Sequence, residues 1–302
     1  MLSAIDYQNV TKQYGRILAL DNFSLSIPQG SISFILGLNG AGKTTLLKST
    51  LGHTPINSGE IKFGKTNPSI SAVIETPTFY ENLTAKALMT HMSILRRCKP
   101  EFSSTLLSYV GLSVEDKRPV RKYSLGMRQR LKLALALLVE PDIIILDEPL
   151  NGLDPDGINQ MKNILIKINR EKGTTIILSS HLIKETEGIA TDYAIIHHGK
   201  LMSRFNKEDL DSKLNCLHIS TDNYSTLLEG IGNVYDSRLR LFVKKSDNII
   251  KCYAQDAKKV NLKNIRQEMI EGLEVEADKI TIERGSLDEY FLALTGGGIY
   301  DN

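Results

Sequence analysis

Hydrophobic and polar residues alternate with period two in Ile5-Asp6-Tyr7-Gln8-Asn9-Val10 and again in Phe23-Ser24-Leu25-Ser26-Ile27. That period belongs to half-buried strands, so the stretch from Ala4 to Ile27 predicts antiparallel β-structure. Ser31 to Leu36 is a β-rich run ending in a glycine-rich loop, and Thr44 to Leu51 predicts a helix. A short strand pair is expected around Gly59 to Gly64, then a buried strand over Ile70 to Glu75. From Ala85 to Val139 the apolar spacing turns helical, as if helices were inserted between two strands of a central sheet. Pro141 ends that stretch. Three apolar runs follow, Asp142 to Asp147, Thr174 to Ser179 and Tyr193 to Ile196, with helical patterns between them. Strands alternating with helices predict an α/β fold built on a mainly parallel sheet. Gly199-Lys200 is expected to make a hairpin turn. Beyond about Leu214 the texture changes to short alternating strands (Cys216 to Ser220, Leu241 to Lys244, Ile249 to Ala254) and helices such as Val260 to Glu271, predicting a small separate α+β unit.

Composition narrows the class without choosing a function. The 302 residues suffice for one large domain, or a large one with a small companion. A net charge of +2 gives no reason to expect nucleic acid or an anionic surface as the main partner. Cys98, Cys216 and Cys252 are scattered, with no CxxC pair, which fits buried thiols in a reduced cytosol better than a disulfide framework. No signal peptide is expected at the N-terminus, and no run reaches the roughly 18 apolar residues a membrane span needs. Even Leu133 to Leu146 is broken by Glu140, Pro141 and Asp142.

Two motifs carry chemistry. Gly37-Leu38-Asn39-Gly40-Ala41-Gly42-Lys43-Thr44 fits G-x-x-x-x-G-K-[ST] in full, between a predicted strand and a predicted helix. Glycines let the backbone of Asn39, Gly40, Ala41 and Gly42 curl so that N–H groups face phosphate oxygens, and the helix N-terminus adds partial positive charge. Lys43 is expected to reach the β- and γ-phosphates, Thr44 to give a hydroxyl to Mg²⁺, and Thr45 to bond another phosphate oxygen. The second motif is Ile143-Ile144-Ile145-Leu146-Asp147-Glu148-Pro149. Its strand delivers two carboxylates to the C-terminal sheet edge, where α/β sheets place ligands. Asp147 is the candidate Mg²⁺ holder and Glu148 the candidate general base for an attacking water. Together the motifs point to a nucleotide hydrolase. Ser124-Leu125-Gly126-Met127 opens a further helix and offers a second anion site.

With that segment the first 212 or so residues resemble the ATP-binding cassettes of ABC transporters. Tyr123-Ser124-Leu125-Gly126-Met127 resembles the family's LSGGQ signature, with Leu125 in place of the first glycine and Met127 in place of the glutamine. Ser124 and Gly126, which in that family touch the γ-phosphate of the other subunit, are retained. Tyr14 lies 29 residues before Lys43, where the family stacks an aromatic ring on adenine. Asn151-Gly152-Leu153-Asp154 resembles the D-loop, and His181, after Ser179-Ser180, matches the switch histidine. Most relatives end the strand before the helical insertion in glutamine; this chain has Glu75 there, which keeps an oxygen ligand for the metal and adds a charge. Glu75, the following Phe79 to Thr84 and the tail Ser286 to Gly297 resemble the branch that handles bacitracin, lantibiotics and related antimicrobial or toxic peptides.

The resemblance implies a P-loop ABC cassette over residues 1–212, with an antiparallel β subdomain, a helical subdomain at about 77–140, and a small α+β domain over 213–302. It implies ATP and Mg²⁺ as cofactors. Catalysis would fall to Glu148, His181 and Glu75, with the metal on Thr44, Glu75 and Asp147. A second copy, or a paralogous ATPase subunit, would supply Ser124 and Gly126 in trans. A separate multi-span permease, contacted near Phe79 and Tyr80, would place the protein at the cytoplasmic face of the membrane. Nucleic acid is not an expected partner. Export of small drugs or lipids is the alternative cargo. A soluble ABC ATPase acting on ribosomes or DNA fits less well, since the chain has one glycine loop, one signature and no long coiled coil.

Overall fold

The computed structural model describes residues 2–74, 81–221, 227–231, 238–244, 248–273, 275–296 and 299–300. Two compact units divide the chain, Met1–Arg204 and Phe205–Asn302.

The first unit begins with two long strands, β1 (Ser3–Tyr14) and β2 (Ile17–Pro28), paired antiparallel. A fourth strand in chain order, β4 (Ser58–Phe63), pairs antiparallel with the other edge of β1. The expected strand pair at Gly59 to Gly64 is therefore one strand. Its partner is β1, which lies between β2 and β4 in the sheet. Ile5, Tyr7, Val10, Phe23, Leu25 and Ile27 face inward from this three-stranded sheet onto the main core.

The central sheet has six strands in the order β5-β6-β7-β3-β8-β9. These are β3 (Ile32–Leu36), β5 (Ile70–Val73), β6 (Ile143–Asp147), β7 (Thr175–Ser180), β8 (Asp192–His197) and β9 (Lys200–Asn206). Pairing is parallel from β5 through β8. β3 and β7 are buried at every residue, as strands covered on both faces must be. β5 is an edge strand and only half-buried, which corrects the expectation of a buried strand at Ile70 to Glu75. The turn between β8 and β9 is His198-Gly199, one residue earlier than expected. Both residues have positive φ, 46° and 74°, the geometry that joins twisted strands through a two-residue loop.

Helices α1 (Lys43–Thr50), α2 (Ala85–Leu95), α3 (Phe102–Tyr109), α4 (Leu125–Leu137) and α5 (Pro155–Lys172) belong to this unit. Between β5 and β6 the chain runs through α2, α3, a 3₁₀ turn at Val120–Lys122 and α4, so the helices are indeed inserted between neighbouring strands. Helix α5 buries Ile158, Met161, Leu165 and Ile168, a one-sided stripe. Asp154 caps its start by accepting from Gly157 N–H at 2.9 Å, Pro155 opens the first turn, and Gly173 at φ 64° ends it.

The second unit carries a five-stranded sheet in the order β13-β10-β12-β11-β14. Its strands are β10 (Asn215–Ser220), β11 (Leu239–Lys244), β12 (Ile249–Ala254), β13 (Ile280–Arg284) and β14 (Ile299–Tyr300). All pairs are antiparallel except β11 with β14. Helices α6 (Leu210–Leu214), α7 (Leu262–Gly272) and α8 (Leu287–Thr295) belong to this unit. Leu217, Ile219, Ile250, Cys252, Ile265 and Met269 form part of its core. Among the described residues no helix is long and apolar enough to cross a membrane.

Candidate nucleotide-binding and catalytic site

Three parallel strands end side by side and bring the predicted residues together. β3 runs into the glycine loop, β6 ends at Asp147 and Glu148, and β7 runs into Ser180 and His181. Gly42 is a residue the loop cannot replace: its φ is 108°, and a Cβ there would stand 2.4 Å from the backbone oxygen of Ala19. Asn39 and Gly40 are exposed, Ala41 and Lys43 are buried, and Thr44 is exposed at the start of α1 with Thr45 half-buried beside it.

Lys43 Nζ donates to the carbonyls of Gly37, at 2.8 Å, and Leu38, at 3.3 Å, and pairs with Glu148 Oε1 at 3.2 Å. His181 Nδ1–H donates to the other carboxylate oxygen, Glu148 Oε2, at 2.8 Å. One carboxylate thus joins the glycine loop to the end of β7. Thr44 Oγ1 donates to Asp147 Oδ2 at 2.8 Å. Ser179, named in the sequence only as the neighbour of His181, donates to Asp147 Oδ1 and accepts the Glu148 N–H at 2.9 Å. Its signal in the sequence is a polar residue directly after the apolar run Ile176 to Leu178. Glu148 adopts φ 49°, an uncommon conformation for a residue with a side chain and typical of functional sites.

Beside the acids lies a cavity of about 240 Å³ whose lining includes Gln129, Lys132, Asp147, Glu148 and Asn151. Burial, with Arg128 nearby, holds the Lys132 ammonium below the usual lysine range. Gln129 and Lys132 carry no signal of this in the sequence, because only the fold turns that side of α4 toward the acids, whereas Asn151 opens the 151–154 segment already singled out there.

Thr44 Oγ1 and Asp147 Oδ2 are hard oxygen donors that meet at an exposed residue, and such a pair fits Mg²⁺. Among the described residues no group of three His, Cys, Asp or Glu side chains converges as a metal cage. Glu75, Phe79 and Tyr80 lie outside the described residues.

Other candidates lie apart from this network. Ser124 caps α4 by accepting from Met127 N–H at 3.2 Å. Among the described residues no hydrogen bond joins Ser124 or Gly126 to the glycine loop, Asp147, Glu148 or His181. Leu125 packs toward Gly152, where a Cβ would meet its Cδ2 at 3.0 Å, so the α4 start and the 151–154 loop are neighbours in one chain. Tyr14 closes β1, is 46% exposed, and has Lys12 Nζ 4.8 Å from its ring centre. Asp154 is exposed and serves as the α5 cap.

The ABC transporter family model matches residues 20–151, the span from β2 past the second acid motif. The chain is 35% identical over 312 residues to the bacitracin transport ATP-binding protein BcrA of Bacillus licheniformis, and the match covers 99% of each. This protein belongs to the ABC transporter ATP-binding family. It is also 39% identical over 201 residues to the lantibiotic transport ATP-binding protein SrtF of Streptococcus pyogenes, covering 65% of this chain and 87% of that one. Among solved structures, cbiO1 from Clostridium perfringens, part of the ABC transporter complex cbiONQ, matches with a TM-score of 0.64 at 21% identity, covering 78% of this chain and 97% of that one. The family's P-loop cassette fold is thus the fold of the first unit, with the mixed sheet, the antiparallel sheet and the inserted helices in place.

Proposed function

We propose that this chain is the ATP-hydrolysing subunit of an ABC exporter that moves antimicrobial or toxic peptides through a separate membrane permease. One observation supports the hydrolase reading most: Lys43, Thr44, Asp147, Glu148 and His181 meet in a single hydrogen-bonded network at the C-terminal edge of the sheet. The peptide cargo rests on the similarity, along nearly the whole chain, to a bacitracin transport protein.

In this reading the N–H groups of Asn39 to Thr45 and the Lys43 ammonium hold the β- and γ-phosphates, and Tyr14 stacks on the adenine. Thr44, Asp147 and Glu75 would hold Mg²⁺, which would supply charge neutralisation at the phosphate oxygens. Glu148 accepts the proton of the attacking water, and His181 orients its carboxylate through the 2.8 Å bond. Ser124 and Gly126 of a second copy, or of a paralogous subunit, close over the γ-phosphate, and Asp154 lies at that junction. ATP then binds the closed pair better than the open one, which shifts the population toward closure. Hydrolysis removes those contacts and reopens it. Residues 1–212 form the nucleotide-binding domain, with the helical subdomain at about 77–140, and residues 213–302 form a C-terminal α+β domain. The complex sits at the cytoplasmic face of the membrane, held there by the permease.

The test is ATPase activity of the chain reconstituted with its permease, in the presence of bacitracin, a lantibiotic, a lipid or a small cationic drug. Stimulation by the peptides alone is the expected result. Stimulation by the drug or lipid alone overturns the cargo, and absence of any Mg²⁺-dependent ATPase in the complex overturns the hydrolase.

A further inference from the structure

We propose that Ser179 is a positioning residue for the nucleotide site: its hydroxyl sets the Asp147 carboxylate toward Thr44 and holds the backbone of Glu148 in place. The proposal rests on the reading of the site as an Mg²⁺–nucleotide site and extends it to a residue that touches neither ligand.

The placement follows from strand register. β6 and β7 pair in parallel with Asp147 opposite Ser179, which puts their side chains next to each other on one face. Ser179 is fully buried. A serine hydroxyl has one hydrogen to give and lone pairs to accept with. Here the hydrogen goes to Asp147 Oδ1 and a lone pair takes the Glu148 N–H. With Oδ1 engaged, Oδ2 is the oxygen left to face Thr44 Oγ1, 2.8 Å away. The second bond acts at the residue whose φ is 49°, so it secures the left-handed peptide that swings the Glu148 side chain toward Lys43 and His181. Ser180, the next residue, acts elsewhere. Its hydroxyl accepts from Leu182 N–H at 2.9 Å and shapes the turn after β7. Ser179 therefore links the orientation of both acids.

A serine present only to fill the core would affect stability and every kind of binding alike. A serine that positions Asp147 acts on the metal-dependent part of binding, where Asp147 acts. The measurement is ADP affinity of the full chain, followed with a fluorescent ADP analogue, in EDTA and in excess Mg²⁺. The ratio of the two affinities is the contribution of the metal. In Ser179→Ala this ratio is expected to fall by about tenfold, the scale of one lost hydrogen bond to a buried charged group, while the EDTA affinity stays at the wild-type value. Asp147→Asn should lower the ratio as well, and Ser179→Ala added to it should lower it little further, because the two act through one carboxylate. Ser179→Cys, which keeps a weaker donor, should fall between serine and alanine and carries the comparison if the alanine variant does not fold. An unchanged ratio, an equal loss of affinity in EDTA, or full additivity with Asp147→Asn overturns the proposal. If the site is not an Mg²⁺–nucleotide site at all, the wild-type protein itself shows no gain from Mg²⁺, which separates the two failures.

Discussion

Lys43 Nζ and Glu148 Oε1 stand 3.2 Å apart, so the ammonium assigned to phosphate and the carboxylate assigned to the attacking water are partners of each other. Both side chains are largely withdrawn from solvent, with exposures of 6% and 23%. Phosphate must therefore compete with Glu148 for Lys43. Glu148→Gln removes the competing charge while keeping the shape. ADP, which cannot report on hydrolysis, is expected to bind this variant roughly fivefold more tightly, equivalent to about 1 kcal/mol for a partly exposed pair. ATP turnover should drop by a factor of roughly 10² to 10⁴ with the loss of the base. Calorimetric titration with ADP and a phosphate-release assay check the two halves separately; unchanged ADP affinity removes the competition.

Two glycines of the phosphate loop should respond differently to alanine. Gly42 combines φ 108° with the Ala19 backbone oxygen 2.4 Å from any added Cβ. Gly40, at φ 80°, has nothing within 4 Å of that position. Gly42→Ala is expected to abolish nucleotide binding and lower the melting temperature of the first unit. Gly40→Ala bears only the left-handed strain, about 1–3 kcal/mol, and should retain measurable binding. Equal losses in the two variants would place the cause outside the Ala19 contact.

The cysteines differ in reach. Burial pushes the Cys216 thiol up to about 11, and complete burial raises Cys252 further. Cys98 is partly exposed, contrary to the expectation that all three are buried. Since the thiolate is the reactive form, a disulfide reagent near pH 8 should titrate one thiol in the folded protein and all three after denaturation. Cys98→Ser should remove the fast-reacting one. Rapid reaction of two or more native thiols would contradict this burial.

The second unit should weaken in acid through Glu289. Desolvation alone raises this carboxyl. The Lys251 ammonium at 2.8 Å and the N–H of Ser286 outweigh it and hold the group below the ordinary glutamate value of 4.5. A carboxylate depressed by folding stabilises above its unfolded pKa and loses that contribution as pH falls through the folded one. Stability of the 205–302 unit should therefore be constant near neutrality and fall once the pH drops below about 4.5. Glu289→Gln should be less stable at pH 7 and should flatten this acid-side slope, as followed by denaturant unfolding from pH 7 to 3.

Much of the site was legible because its chemistry is local. The glycine loop needs consecutive small residues, a lysine and a threonine between a strand and a helix, and all of these sit in one stretch of chain. The acids after Ile143 to Leu146 and the histidine after β7 were legible for the same reason, as polar residues at the ends of apolar strands. Strand β13 was harder to read: four of its five residues are exposed, so the sheet's edge hardly marks itself in hydrophobicity.

By itself, the sequence determined the nucleotide loop, the two acids, the alternation that makes a parallel α/β sheet, and the resemblance that names the family. These depend on residue type and short spacing, which the chain states directly. Tertiary structure decided which partners those residues take. Asp147 and Ser179 are 32 residues apart in sequence, and only the register of β6 against β7 makes them neighbours. Lys43 meets Glu148, and His181 grips the same carboxylate, because β3, β6 and β7 finish at one edge of the sheet. Spacing along a chain fixes what a residue can donate or accept; the order and register of strands fix to whom.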